Sequence, residues 1–110
     1  MPTDDLFDQG LQLFNQGKYY EAHEVWEDLW RITKGPLRKF YQGLIHAAVG
    51  LYHLRRGNAA GGRSQLGKSL RNLREYPPDC CGVDVEGLMG QIERVLEEGA
   101  GGVSIAMGDG

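Results

Sequence analysis

The chain is short of the features that usually announce a function. It has two cysteines in 110 residues, and they are neighbours, Cys80 and Cys81. A secreted disulfide scaffold needs more cysteines, spaced apart. Adjacent side chains rarely converge on one metal ion without other ligands. The pair reads as two reduced thiols in a loop, as is usual in the cytosol, with a strained vicinal disulfide as the alternative. No segment alternates apolar and polar residues with period two, so no sheet is expected. The net charge of −3 comes without a clustered basic surface, which argues against a nucleic-acid partner. The longest apolar stretch, Gly43 to Leu54, holds two histidines and is too short and polar to span a bilayer. Met1-Pro2-Thr3-Asp4-Asp5 lacks the basic start and apolar core of a signal peptide. These absences lead us to expect a cytoplasmic protein with no membrane partner.

What the chain does have is helical periodicity, centred on Tyr19 to Trp30, YYEAHEVWEDLW. Tyr19, Ala22, Val25/Trp26 and Leu29/Trp30 recur at helical spacing, while Glu21, Glu24, Asp28 and Arg31 take the other side. Trp26 and Trp30 read as core. Before this helix, Asp4 or Asp5 caps a first one with Leu6/Phe7, Leu11 and Phe14 as its stripe, ended by Gly17. Lys34-Gly35-Pro36 breaks the second helix, and proline suits the first turn of a third. That third helix, Pro36 to about Arg56, is apolar nearly all round and should be the buried centre. A fourth runs from near Asn58 to about Glu75 with Leu66, Leu70 and Leu73 inward, and Tyr76-Pro77-Pro78 stops it. Asp84 caps a fifth. The expectation is an all-α bundle of about five helices, one domain over residues 4–98, with a flexible glycine-rich tail over 99–110. The basic residues Arg31, Lys34, Arg38 and Lys39 around the second turn, and Lys68, Arg71 and Arg74 on the fourth helix, read as solvated faces.

A repeat is visible at an offset of 40 residues: Gly10 on Gly50, Leu11 on Leu51, Gly17 on Gly57, Ala22 on Gly62, Trp26 on Leu66. Each unit is helix, glycine turn, helix. The phrase G-K-Y-x-E-A-x-x-x-W resembles the turn and second helix of a tetratricopeptide repeat, so tetratricopeptide-like hairpins are expected.

The candidate polar site lies between helices two and three. Residues equally far from the Lys34-Gly35 turn should be level, which sets His23 beside His46 and Glu27 beside Gln42. Gln42, His46, Val49 and His53 recur at i, i+4, i+7 and i+11, one stripe of helix three. His53 should sit about 10 Å further along, at 1.5 Å per residue. Bundles build metal and ligand sites between such helices. His23-Glu24-x-x-Glu27 has the shape of a zinc helix whose second histidine is glutamate, so the usual zinc-protease reading is dropped. A divalent metal on His23 and Glu27 remains chemically sensible. Glu24 or Glu27 would alternatively be a general base. The competing reading is structural: His23–Glu27 as an i,i+4 pair, with Gln42 and His46 satisfying core hydroxyls.

The run F-N-x-G-x-Y-Y-E-A-H-E-x-W-E-x-x-W (Phe14 to Trp30), then G-P-x-R-x-F-x-Q-G-L-I (Gly35 to Ile45), then Y-H-x-x-R-G-N (Tyr52 to Asn58), resembles the bacterial and archaeal domain-of-unknown-function family numbered 309. The resemblance spans about Leu6 to Leu73. It implies an all-helical domain around a central helix and brings no established activity. Its motif positions fall on Glu21, Ala22, His23, Glu24, Glu27, Trp30, Gln42, Gly43, His53 and Asn58; His46 is not among them. The expected role is a protein-interaction or self-associating module, with homodimers as one form. The alternative is a metal- or small-ligand-binding site, hydrolytic in its strongest form, made by His23, Glu24, Glu27, Gln42, His46 and His53.

Overall fold

Five helices carry the chain in the computed structural model, which describes residues 2–107, with side chains from Asp4 onward. They are α1 (Pro2–Asn15), α2 (Tyr19–Ile32), α3 (Arg38–Arg55), α4 (Ala59–Leu73) and α5 (Val85–Glu98). A single 3-10 turn, Cys80–Gly82, interrupts the α4–α5 connection. Among the described residues no strand forms, and the one β-type pairing is an isolated antiparallel bridge between Val83 and Met107. No helix of the described residues is long and apolar enough to cross a membrane.

The fold is all-α, and α3 is its centre. Phe40, Leu44, Ala47 and Ala48 are fully buried, and the helix packs against α2 on one side and α4 on the other. The apolar circumference of α3 in the sequence has this cause: two neighbouring helices dry opposite faces of it.

The α1–α2 and α3–α4 hairpins repeat each other at the 40-residue offset, down to their turns. Gly17 and Gly57 both take left-handed backbone, at φ 81° and 84°, which glycine adopts without a Cβ penalty. The following N–H closes back across the helix end in each case, Lys18 to the Leu13 carbonyl and Asn58 to the His53 carbonyl, both at 2.8 Å. Helix contact repeats too. A Cβ on Gly10 would stand 2.0 Å from the Trp26 indole nitrogen, and one on Gly50 would stand 2.7 Å from Leu66 Cγ. Both large side chains therefore lie on the bare backbone of the preceding helix. Trp26 fills the α1–α2 interface, fully buried, with Phe14 at 5.6 Å and its N–H donating to the Phe7 carbonyl at 3.3 Å.

The glycine-rich end departs from expectation. Residues 99–107 are not a free tail: they lie against the domain, with Val103 and Ile105 buried. Tyr19, Gln91 and Asn15 hold Val103, Ser104 and Ile105 by hydrogen bonds, and Asp84 N–H donates to the Ala106 carbonyl at 2.9 Å. Glycine content hid a short alternation, Val103 and Ile105, that buries two β-branched side chains. The packed domain thus runs on to Met107, not 98; residues 108–110 of the expected tail lie outside the described residues.

Candidate functional site

Helices α2 and α3 meet along a seam whose outer side stays open. From α2, Tyr20, His23, Glu27, Trp30 and Arg31 reach it; from α3, Gln42, Ile45, His46, Val49, Tyr52 and His53 do. The seam holds two recesses. One, about 250 Å³, is lined by Glu27, Trp30, Arg31, Gln42, Ile45 and His46. The other, about 120 Å³ and mostly apolar, is lined by Tyr20, His23, Val49, Tyr52 and His53.

Five of the six candidate residues therefore line the two recesses of one groove, though only one of the two expected pairs shares a recess. His23 shares its recess with His53 and not with His46, while Glu27 does share one with Gln42 and His46. Counting outward from a tight turn ignored the connection between the helices. Thr33 is extended there, Gly35 is left-handed, and α3 begins at Arg38, not at Pro36. Glu24 is exposed and lines neither recess. Its i+1 position after His23 turns it about 100° round the helix, away from the seam.

The polar groups are largely engaged with one another. His23 Nε2 donates to Glu27 Oε1 at 2.7 Å, and its Nδ1 faces the Tyr20 carbonyl at 3.2 Å. Arg31 donates to Glu27 Oε2 at 3.3 Å and to Asp28 Oδ1 at 2.7 Å. Each oxygen of Glu27 thus has one partner. His46 turns toward α4, where its Nδ1 donates to Gln65 Oε1 at 2.7 Å, leaving Nε2 as a lone pair. Burial holds the His46 pKa below its ordinary 6.5, Lys68 and Arg71 push the same way, and the Gln65 bond opposes them. Around the second recess, Tyr20 packs on His23 at 5.3 Å and on Tyr52 at 5.1 Å.

Trp30 was expected in the core with Trp26, but it is only half-buried and forms a wall of the groove. The Arg38 guanidinium lies over its ring at 3.7 Å, a cation–π contact that the reading of Arg38 as a solvated charge missed. The Trp30 indole nitrogen is buried without a hydrogen-bond partner. Such orphan donors are uncommon in folded proteins. Gln65 was also unforeseen; its signal is its place on α4, one turn before Ser69, which bonds the Gly43 carbonyl at 2.7 Å.

Among the described residues no three His, Cys, Asp or Glu side chains gather into a binding set. His23 and Glu27, the pair expected to hold one, spend their facing atoms on each other.

Fold and groove together define a small all-helical domain of two stacked hairpins with a lined seam between them. The chain belongs to the family described as Domain of unknown function (DUF309), whose sequence model matches residues 7–65. That span takes in most of α1, all of α2 and α3, and the first half of α4, and so the whole groove. An uncharacterised protein of Aquifex aeolicus is 31% identical over 95 residues, 86% of this chain and 27% of its own length. The uncharacterised protein YpuF of Bacillus subtilis is 40% identical over 57 residues, 51% of this chain and 33% of its own length. The chain spans a third or less of these relatives.

Proposed function

We propose that the domain is a protein-interaction module and that the α2–α3 groove is its recognition surface. One observation carries this reading: the groove is open and lined by aromatic and ring-nitrogen side chains, Trp30 and His46 in one recess and Tyr20, His23, Tyr52 and His53 in the other. Interfaces concentrate aromatic and arginine anchors of this kind. The partner segment brings an apolar side chain to the Tyr20–Val49–Tyr52 recess. It brings a carbonyl or carboxylate to the edge formed by Trp30, Arg31 and Arg38. In both relatives the matched stretch is part of a much longer chain, as suits a module that works beside other segments. A hydrolytic site is poorly served, since Glu24 lies outside the groove and each oxygen of Glu27 already accepts a bond from a neighbouring side chain.

The test replaces Tyr20 with a photo-crosslinking phenylalanine in host cells and compares it with the same substitution at Glu93, on the exposed side of α5. We expect a discrete crosslinked product from position 20, lost in Trp30→Ala and His53→Ala backgrounds that keep their helix content. Equal product from position 93, or product indifferent to those substitutions, would overturn the reading. A product of twice the chain mass identifies the partner as a second copy.

A further inference from the structure

The segment after α5 is held as a ligand is held. Three successive residues have both backbone groups taken by one side chain each. The Tyr19 hydroxyl accepts from Val103 N–H at 3.2 Å and donates to the Val103 carbonyl at 3.3 Å. The Gln91 amide accepts from Ser104 N–H at 3.0 Å and donates to its carbonyl at 2.8 Å. The Asn15 amide accepts from Ile105 N–H at 2.7 Å and donates to its carbonyl at 2.9 Å. Val103 and Ile105 face the α1–α2 corner and Ser104 faces α5, the alternation of a strand between two neighbours. A side-chain amide has the donor and acceptor of a peptide unit, so Asn15 and Gln91 play the part of adjacent strands. Val103 and Ile105 fill apolar pockets and are 5% and 3% exposed. This is recognition of an extended peptide by its backbone, with pockets for alternate side chains.

The tether before this peptide is short, exposed and rich in glycine. Gly99 to Gly102 are all exposed, three of the four are glycine, and Gly99 and Gly101 sit at φ 78° and 134°. We propose that the receptor formed by Asn15, Tyr19 and Gln91 also takes residues 103–107 of a second copy, so that two chains associate by exchanging these straps. Every contact is the same within one chain and between two, so identity of sequence guarantees the fit, and only the tether changes conformation. A short flexible tether holds its own strap at an effective concentration in the millimolar range. Closure within one chain therefore dominates at micromolar protein, and exchange rises as concentration approaches that range or as the tether shortens.

The test removes Gly101 and Gly102 from the full chain, which shortens its reach by about 7 Å at 3.3–3.6 Å per residue. By light scattering, the parent should be monomeric at tens of micromolar and the shortened chain dimeric, with Val103, Ser104 and Ile105 amides still protected from exchange. Adding Asn15→Ala to the shortened chain should weaken its dimerisation at least tenfold, whereas adding His23→Ala should leave it unchanged. A shortened chain that stays monomeric at hundreds of micromolar overturns the proposal, whether its strap amides are protected or open. Should the shortened chain not fold, mixed labelled and unlabelled parent at millimolar concentration decides the matter. Intermolecular NMR contacts between Asn15 and Ile105 support exchange, and their absence refutes it.

Discussion

Gly10→Ala and Gly90→Ala make the same chemical change in the interior of two helices, and the packing gives them opposite signs. The Cβ added at Gly10 stands 2.0 Å from the Trp26 indole nitrogen and 2.4 Å from two ring carbons. Ordinary contact needs about 3.5–4.0 Å, so the ring must retreat by about 1.5 Å. It has little room: Trp26 is fully buried, Phe14 packs on it with ring centroids 5.6 Å apart, and its N–H is spent on the Phe7 carbonyl. Overpacking of this kind costs about 1–3 kcal/mol. Breaking the indole bond strands a buried donor, for about 1–3 kcal/mol more. Alanine returns about 1 kcal/mol through helix propensity, leaving a net destabilisation of about 3 kcal/mol. At Gly90, exposed in α5, nothing lies within 4 Å of the new methyl, and only the propensity gain of about 1 kcal/mol remains. Urea unfolding followed by far-UV circular dichroism reads both. We expect the Gly10→Ala midpoint to fall by about 1–3 M, given an m-value of about 1–3 kcal/mol/M. The Gly90→Ala midpoint should rise, with m unchanged in both. If Gly10→Ala stays within about 0.5 kcal/mol of the parent, the size of an ordinary surface effect, the account of the α1–α2 contact is wrong.

Protonation of His46 should weaken the fold. Its native pKa lies below 6.5, so as pH falls through 6.5 the unfolded chain takes up the proton first, and stability drops until the native value is passed. His46→Gln should flatten the dependence of the urea midpoint on pH between about 6.5 and 5, above the ordinary carboxylate range; an unchanged slope would refute the assignment. Cys81, in left-handed backbone at φ 59°, has its thiol pushed up to about 12 by partial burial and by the facing Cys80 sulfur 3.2 Å away. A brief iodoacetamide pulse at pH 8 should give single and not double labelling of the peptide holding both cysteines, by mass spectrometry; rapid double labelling would contradict it. Zinc, manganese or iron(II) at micromolar excess should leave the melting temperature of untagged protein unchanged, and a rise lost in His23→Ala would reinstate the metal site.

The helices were legible because each has a period, a stop and an inward face. Gly17, Lys34-Gly35-Pro36, Gly57 and Tyr76-Pro77-Pro78 punctuate the chain close to where the helices end, and Asp84 caps α5 as its position suggested, accepting from Gly87 N–H at 2.9 Å. The groove was legible in part, since a stripe such as Gln42, His46, Val49 and His53 follows from helical geometry alone. Which residue of α2 meets which of α3 does not follow, because register depends on the length and dihedrals of five connecting residues. The strap was missed for another reason. Its order comes from side chains 13 to 90 positions away, and Val103 and Ile105 form too short an alternation to be seen against glycine.

The 40-residue offset separates what the scaffold requires from what the groove adds. Gly10 and Gly50, Gly17 and Gly57, and Trp26 and Leu66 serve the same ends in both hairpins: close approach, turn and interface. The groove residues have no such counterparts. His46 and His53 of α3 correspond to Leu6 and Leu13 of α1, which are half-buried and pack on the core. On α2, His23 and Glu27 correspond to Arg63 and Gly67 of α4. An imidazole in a half-buried place bears a desolvation penalty that leucine does not. The hairpin itself shows that leucine serves the architecture at two of these positions. His46 still serves the fold through its bond to Gln65 of α4, whereas His53 and Gln42 mark this seam off from the corresponding surface of the first hairpin. On the proposed reading, a partner seated on the α2–α3 seam gives those side chains a use.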